Sequence, residues 1–163
     1  SFPRPLINRS GCDMSFSGLK TAVARAIDTL SKKQGGLYES DRSDICASFQ
    51  QAICDIFEHK ATFSIRTYLK NKLYSKFFSV SGGVAANLKI RATLEGVAKK
   101  FDVKFSAPPL SLCTDNAAMI AYAAGELQDQ VDWCPKDLVP RPRWPLDNNK
   151  IPLLGSGKKG PKA

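Results

Sequence analysis

Two short segments carry the residue types from which chemistry can be built. The first is S-G-G-V-A-A-N, Ser81 to Asn87, and the second is L-C-T-D-N-A-A-M-I-A, Leu112 to Ala121. Gly82 and Gly83 lack Cβ atoms, which lets a ligand press against the backbone. A helix starting just after them offers unpaired N–H groups to a phosphate or another anion. Asn87 can both donate and accept, as recognition of a hydroxyl or a nucleobase edge requires. The plainer alternative is a Gly-Gly turn from strand to helix with Asn87 as its cap, and a glycine pair alone does not separate the two. Asn87→Ala is expected to weaken ligand binding with little loss of stability, because Ala is the better helix former.

In the second segment Thr114, Asp115 and Asn116 precede an almost uncharged stretch. Each suits a helix N-cap. A cap uses one such side chain, and a spare carboxylate is a natural ligand for a hard or borderline cation. Asp115 is therefore a cap or a metal ligand, and it cannot hold a catalytic metal alone, since such sites usually have about three protein ligands.

The other candidates are weaker. His59, the one histidine, lies between Glu58 and Lys60 on a helical stretch and reads as solvated or capping. Ser17 and Lys20 have no histidine or paired acid beside them, so their run reads as a helix start. Nothing adjacent to Cys113 would activate its thiol, which reads as packing. The five cysteines, Cys12, Cys46, Cys54, Cys113 and Cys134, form no C-x-x-C pair and are odd in number. They point to free thiols in a reducing cytoplasm.

The elements that position these residues follow from periodicity. Leu19, Val23, Ala26, Ile27 and Leu30 recur at helical spacing, with Ser17 available as N-cap and Gly35-Gly36 as a stop. A second helix starts near Ser40, with Asp41 and Asp44 in its first turn, and its face runs from Ile45 through Phe49, Ala52, Ile53, Ile56, Phe57, Phe63, Ile65 and Leu69 to about Leu73. One long helix and two helices bent near His59 both fit. Phe77 to Ser81 is a short β-prone run. A helix with Leu88, Leu94, Val97 and Ala98 on one face follows, then a strand over Phe101 to Phe105, then an alanine-rich helix over Asn116 to Leu127 with Met119, Ile120, Ala123 and Leu127 inward. Strand, helix, strand, helix argues a parallel pair with a right-handed crossover. In such sheets ligands gather beyond the carboxyl ends of the strands, which would bring Asn87 and Asp115 toward one space.

The expected fold class is α/β, in three parts: residues 1–75 mainly helical, 76–132 a βαβα unit, and 133–163 a proline-rich basic tail. Two strands make a very small sheet, so its remaining strands are expected outside this chain. At 163 residues, 43% hydrophobic and 24% charged, the composition is globular and excludes wholesale disorder or collagen-like structure. No apolar run approaches the ~20 residues that span a bilayer, and no signal-peptide pattern opens the chain, so no membrane partner is expected. The net charge is +9, and six bases against Asp147 between Pro140 and Ala163 supply +5 of it. That tail could lie near nucleic-acid phosphates.

Beyond single residues, an ordered set of motifs stands out. Phe2-Pro3-Arg4-Pro5-Leu6, D-M-S-F-S-G-L-K-T from Asp13 to Thr21, Ala47-Ser48-Phe49-Gln50, S-G-G-V-A-A-N, C-T-D-N-A-A-M-I-A and Pro142-Arg143-Trp144-Pro145-Leu146 occur in this order. Together they resemble the C-terminal half of the bacterial tRNA threonylcarbamoyladenosine transferase family (TsaD-like, formerly the O-sialoglycoprotein endopeptidase or glycoprotease family), from about Phe2 to Asp147. The resemblance implies an actin-like, sugar-kinase-like (ASKHA) two-domain fold, here a helical insertion plus the βαβα unit. It implies transfer of the threonylcarbamoyl group from threonylcarbamoyl-adenylate to N6 of the adenosine beside the anticodon of tRNA. It further implies a divalent metal ion, usually iron, with Asp115 as one ligand and two histidines of an H-x-x-x-H motif that this chain lacks. Asn87 matches a substrate-binding asparagine, with Gly82 and Gly83 beside it. The implied partners are tRNA, the adenylate, companion proteins of the pathway and the N-terminal half of the family, and the chain alone is expected to be inactive. Two rival readings are a non-catalytic fragment or paralogue acting by binding, and a metallopeptidase, for which no H-E-x-x-H site is present.

Overall fold

The computed structural model describes residues 1–70, 76–130 and Val139. The Leu73 end of the second helix, Cys134, the tail motif at Pro142 to Leu146 and the tail lysines lie outside the described residues. The described chain is α/β. Its elements are α1 (Leu19–Gln34), α2 (Glu39–Lys70), β1 (Phe77–Ser79), α3 (Leu88–Lys100), β2 (Lys104–Ser106) and α4 (Ala117–Glu126), with 3₁₀ turns at Gly83–Ala86 and Leu110–Leu112. Two compact units divide it, Ser1–Ile120 and Ala121–Ala163. The core and all site geometry below belong to the first.

Local signals explain most boundaries. Helix α1 stops at Gly35, whose left-handed φ of 77° is the usual C-terminal exit. Its start differs from expectation: Gly18, not Ser17, flanks it and supplies no side-chain cap. The Asp41 carboxylate accepts from the Tyr38 amide at 3.1 Å, reaching back across the first turn of α2 as in half of a capping box. Helix α2, 32 residues long, then runs unbroken through His59 to Lys70, so of the two arrangements the periodicity allowed, the single helix is the one observed. Helix α3 ends where Asp102 adopts φ 52° and the Val103 amide reaches back 3.0 Å to the Ala98 carbonyl.

The core lies between α2 and α3 under the sheet. Cys54, Ala61 and Ile65 of α2 meet Ile90, Leu94, Val97 and Ala98 of α3, with Val103 beside them. Each fully buried Leu, Ile or Val contributes about 1.5–3 kcal/mol. Strands β1 and β2 are parallel, with Phe77, Phe78 and Ser79 opposite Lys104, Phe105 and Ser106. The facing rings of Phe78 and Phe105 pack at 6.1 Å.

Several expected burials are corrected. Leu88 is exposed, because it precedes the first inward turn of α3, and Ile90 takes its place in the core. Phe63 is also exposed, whereas Cys54, Lys60 and Ala61 are buried. Helix α2 is covered on more than one flank, by α3 and by the N-terminal segment, so a single-stripe reading leaves out its second contact face. Strand β2 begins three residues later than Phe101, which instead closes α3. Helix α4 buries none of its residues: Met119, Ile120 and Ala123 are exposed, as is Leu127 just beyond it.

Candidate functional site

Parallel pairing sends both strands out at the same edge, so the loops after β1 and β2 leave side by side. The Val80 amide still bonds the Ser106 carbonyl at 3.0 Å. Beyond it Ser81, Gly82, Gly83 and Val84 are exposed. Gly82 has φ 91° and ψ 174°, a conformation that only glycine adopts without strain. At Gly83 an added Cβ would meet nothing within 4 Å among the described residues, so its smallness is not explained by packing against them.

The helix start expected immediately after the glycines is displaced. Gly83–Ala86 forms a 3₁₀ turn, closed by Ala85 N to Gly82 O at 2.9 Å and Asn87 N to Val84 O at 3.1 Å. Helix α3 begins only at Leu88, and Asn87 is its N-cap. The Asn87 Oδ1 accepts from the amides of Lys89 at 3.0 Å and Ile90 at 3.1 Å. Two donors that could have met an anion are thereby satisfied. Asn87 consequently has a structural role, and replacing it by Ala costs about 0.5–2 kcal/mol, contrary to the expectation of near-neutrality. Asn87 Oδ1 also accepts from Gln50 Nε2 of α2 at 3.2 Å.

At the second loop the three polar residues separate by role. Asn116 is the cap of α4: its Oδ1 accepts from the Met119 amide at 3.0 Å, and its Nδ2 donates to the Thr114 carbonyl at 2.8 Å. Asp115 is exposed and makes no side-chain hydrogen bond or ion pair among the described residues. Of the two readings open for Asp115, the cap is thus taken by its neighbour. Its carboxylate is left without a partner among the described residues.

Arg91, which sequence reasoning did not single out, laces the two loops together. From the first turns of α3 its Nε donates to Ala85 O at 3.0 Å, and its Nη2 to Pro108 O at 2.9 Å and to Cys113 Sγ at 3.2 Å. Cys113 is buried, as its packing role requires, but it packs against a guanidinium as well as the loop. A cation near a helix N-terminus opposes the dipole, and that misfit was the available signal that Arg91 has another task.

The N-terminal segment is fastened to α2 by two further contacts. Lys60, 2% exposed, donates from Nζ to the carbonyls of Arg9 at 2.7 Å and Gly11 at 3.2 Å. Arg4 meets Asp55 at 2.7 Å. A hydrogen bond from Gln51, only partly opposed by burial and reinforced by Arg4, holds the Asp55 carboxyl below the usual carboxylate range. Of these residues Lys60 also lines a cavity of about 330 Å³ at the carboxyl end of β1, together with Met14, Phe57, Phe78 and Ser81. Neither Asn87 nor Asp115 lines it. His59 is exposed on the other side, in a cleft it shares with Asp55, Glu58 and Arg66.

Among the described residues no three His, Cys, Asp or Glu side chains gather into a metal-holding group. Asp115 fits a cation as a single oxygen ligand. Cys12, Cys46, Cys54 and Cys113 are free thiols. No helix among the described residues is long and apolar enough to cross a membrane.

Comparison with known proteins adds a family to this geometry. The family model described as "TsaD: tRNA N6-adenosine threonylcarbamoyltransferase" matches residues 1–122. A protein of Roseobacter denitrificans named tRNA N6-adenosine threonylcarbamoyltransferase is 52% identical over 165 residues, covering 100% of this chain and 45% of its own length. Proteins of the same name from Dinoroseobacter shibae and Ruegeria pomeroyi are 54% and 51% identical, each covering 99% of this chain and 44% of their own length. The chain spans somewhat less than half the length of these curated relatives.

Proposed function

The chain belongs to the TsaD family of tRNA N6-adenosine threonylcarbamoyltransferases, and from that premise we propose that it is the C-terminal part of an enzyme that threonylcarbamoylates tRNA. The substrate is threonylcarbamoyl-adenylate, and the acceptor is N6 of the adenosine beside the anticodon. In the transfer the N6 amine attacks the carbamoyl carbon. The new C–N bond replaces the C–O bond to the phosphate, AMP leaves with the electron pair, and the amine loses a proton.

The observation that carries the reading is the single strand edge at which both motif loops emerge, tied by Arg91. One loop presents Asn87 and the Gly82-Gly83 backbone. The other presents Asp115, whose carboxylate no described residue uses. In this reading Asn87 contacts the adenylate, Gly82 and Gly83 let it approach the backbone, and Asp115 is one of three metal ligands. The two histidine ligands come from the N-terminal part of the family. A divalent cation, iron by family resemblance, supplies when bound polarisation of the intermediate's carbonyl or phosphate.

The two strands belong, in this reading, to a larger actin-like sheet. Val84, Leu110 and Leu112 in the two loops, and Leu88 and Met119 in the helices that follow them, are exposed, and such apolar side chains suit a surface that the remainder of the protein and its ligand cover. The three parts proposed are a helical insertion over 1–75, a βαβα unit over 76–132 and a tail over 133–163. The free thiols suit a cytoplasmic enzyme working with tRNA and the companion proteins of the pathway.

A second reading, a binding partner without catalysis, is favoured by one observation: the described residues hold no complete metal-binding group. One experiment separates them. The 163-residue chain is assayed for transfer from threonylcarbamoyl-adenylate to tRNA, alone and co-expressed with the N-terminal part of a relative. Transfer only in the pair is expected. No transfer in a stable, metal-loaded pair, with tRNA still bound, would favour the binding partner.

A further inference from the structure

We propose that Gln50 is a positioning residue that holds the Asn87 amide as a pure hydrogen-bond donor toward an acceptor atom of the ligand. The inference rests on the reading of Asn87 as a substrate contact and deepens it.

Asn87 Oδ1 receives three donors: the amides of Lys89 and Ile90 at 3.0 and 3.1 Å, and Gln50 Nε2 at 3.2 Å. Turning the amide over would set its NH₂ against all three. The oxygen is therefore committed, and Nδ2, for which no described residue acts as acceptor, is the atom left for a ligand. The same logic orients Gln50. With Asn87 presenting an acceptor to it, Gln50 must face it with its own NH₂. The Lys89 and Ile90 bonds come from α3 itself, whereas the Gln50 bond arrives from α2 and ties the amide plane to a second element.

The sequence spacing supports a dedicated role. Gln50 continues, at helical intervals, the stripe of Cys54, Ala61 and Ile65 that α2 turns toward α3. A polar residue in that stripe contributes a hydrogen bond where an apolar one would extend the core. The consequence is selectivity. A free Asn side chain could donate or accept, but with its oxygen held by the Lys89 and Ile90 amides and locked from α2 by Gln50, Asn87 only donates. The ligand atom it meets is therefore an acceptor, such as a hydroxyl or phosphate oxygen or a ring nitrogen of the adenylate, and a group that only donates is refused there.

The test uses the assembled enzyme, this chain with the N-terminal part of the family, and measures KM for threonylcarbamoyl-adenylate, kcat and melting temperature. Gln50→Glu is isosteric but sets an acceptor against Oδ1. Gln50→Met keeps length and helix propensity without any donor. Each should raise KM roughly five- to tenfold, the effect expected for the orientation of one hydrogen bond, and leave kcat within about twofold. Adding Gln50→Met to Asn87→Ala should raise KM no further than Asn87→Ala does. If Asn87→Ala raises KM and both Gln50 variants leave it unchanged, the positioning role is overturned while the substrate contact stands. Increases that multiply in the double variant overturn it as well. An unchanged KM in Asn87→Ala removes the substrate contact and this inference together.

Discussion

Neighbouring side chains of similar chemistry do different work at the strand edge. In Thr114-Asp115-Asn116 the cap falls to Asn116, whose Oδ1 takes the Met119 amide, and Asp115 has no side-chain partner among the described residues. Two substitutions one position apart should therefore diverge. In the assembled enzyme Asp115→Ala should lose bound metal with little change in melting temperature. Asn116→Ala should keep the metal and cost about 0.5–2 kcal/mol of stability. Metal analysis beside a melting curve reads both, and full metal content in Asp115→Ala would remove Asp115 from the ligand set. A second residue-scale expectation concerns acid. The Asp55 carboxyl lies below its ordinary value of 3.8 in the folded chain. A depressed folded value means that its contribution is present at pH above the unfolded value and is lost as pH falls through the folded one. The melting-temperature gap between wild type and Asp55→Asn should accordingly be widest near neutrality and close below about pH 4. A gap that persists unchanged at pH 2 would show that ionisation of Asp55, held by Gln51 and Arg4, is not what stabilises the fold.

Elements here are joined by a few polar side chains as much as by packing. Helix α3 contributes its apolar face to the core and, through Arg91, the strut between the loops after β1 and β2. Arg91→Lys keeps the charge but not the fork that reaches Ala85 O and Pro108 O together. It should cost about 1.5–3 kcal/mol and speed hydrogen exchange at the Asn87 and Cys113 amides in the two loops, leaving exchange in the middle of α2 nearly unchanged. Uniform acceleration across α2 and α3 would mean that Arg91 supports the core rather than the loops. Lys60 does similar work for the N-terminal segment. Its buried ammonium gathers the Arg9 and Gly11 carbonyls onto α2, which is why a segment without periodicity still has a defined course.

At the scale of the whole molecule, the uneven distribution of charge is the leading feature. The segment Pro140 to Ala163 carries +5 of the net +9. Deleting Gly155 to Ala163 removes Lys158, Lys159 and Lys162. For every tRNA phosphate that these lysines neutralise, the deletion should flatten the log–log salt dependence of binding by roughly 0.7–0.9. The choice of tRNA should not change, because pairing with phosphates carries no sequence information. An unchanged slope would show that the three lysines do not meet the backbone. Much of this protein was legible without coordinates. Helical spacing located α1 and the course of α2, leaving open whether α2 bends near His59, and short β-prone runs bounded by Gly or Pro located both strands to within a few residues. The βαβα order gave their parallel pairing, which places the Asn87 and Asp115 loops at one edge. These features depend on neighbours in sequence, where the 3.6-residue period and turn chemistry operate. Tertiary structure decided the rest. It assigned the caps among equivalent candidates, buried Lys60 and exposed Leu88. It also left α4 without a buried face, and brought Gln50 and Arg91 to the edge from positions 37 and 22 residues from Asn87 and Cys113. Each of those outcomes is set by segments far apart in the chain meeting in space, and one-dimensional periodicity contains no term for such meetings.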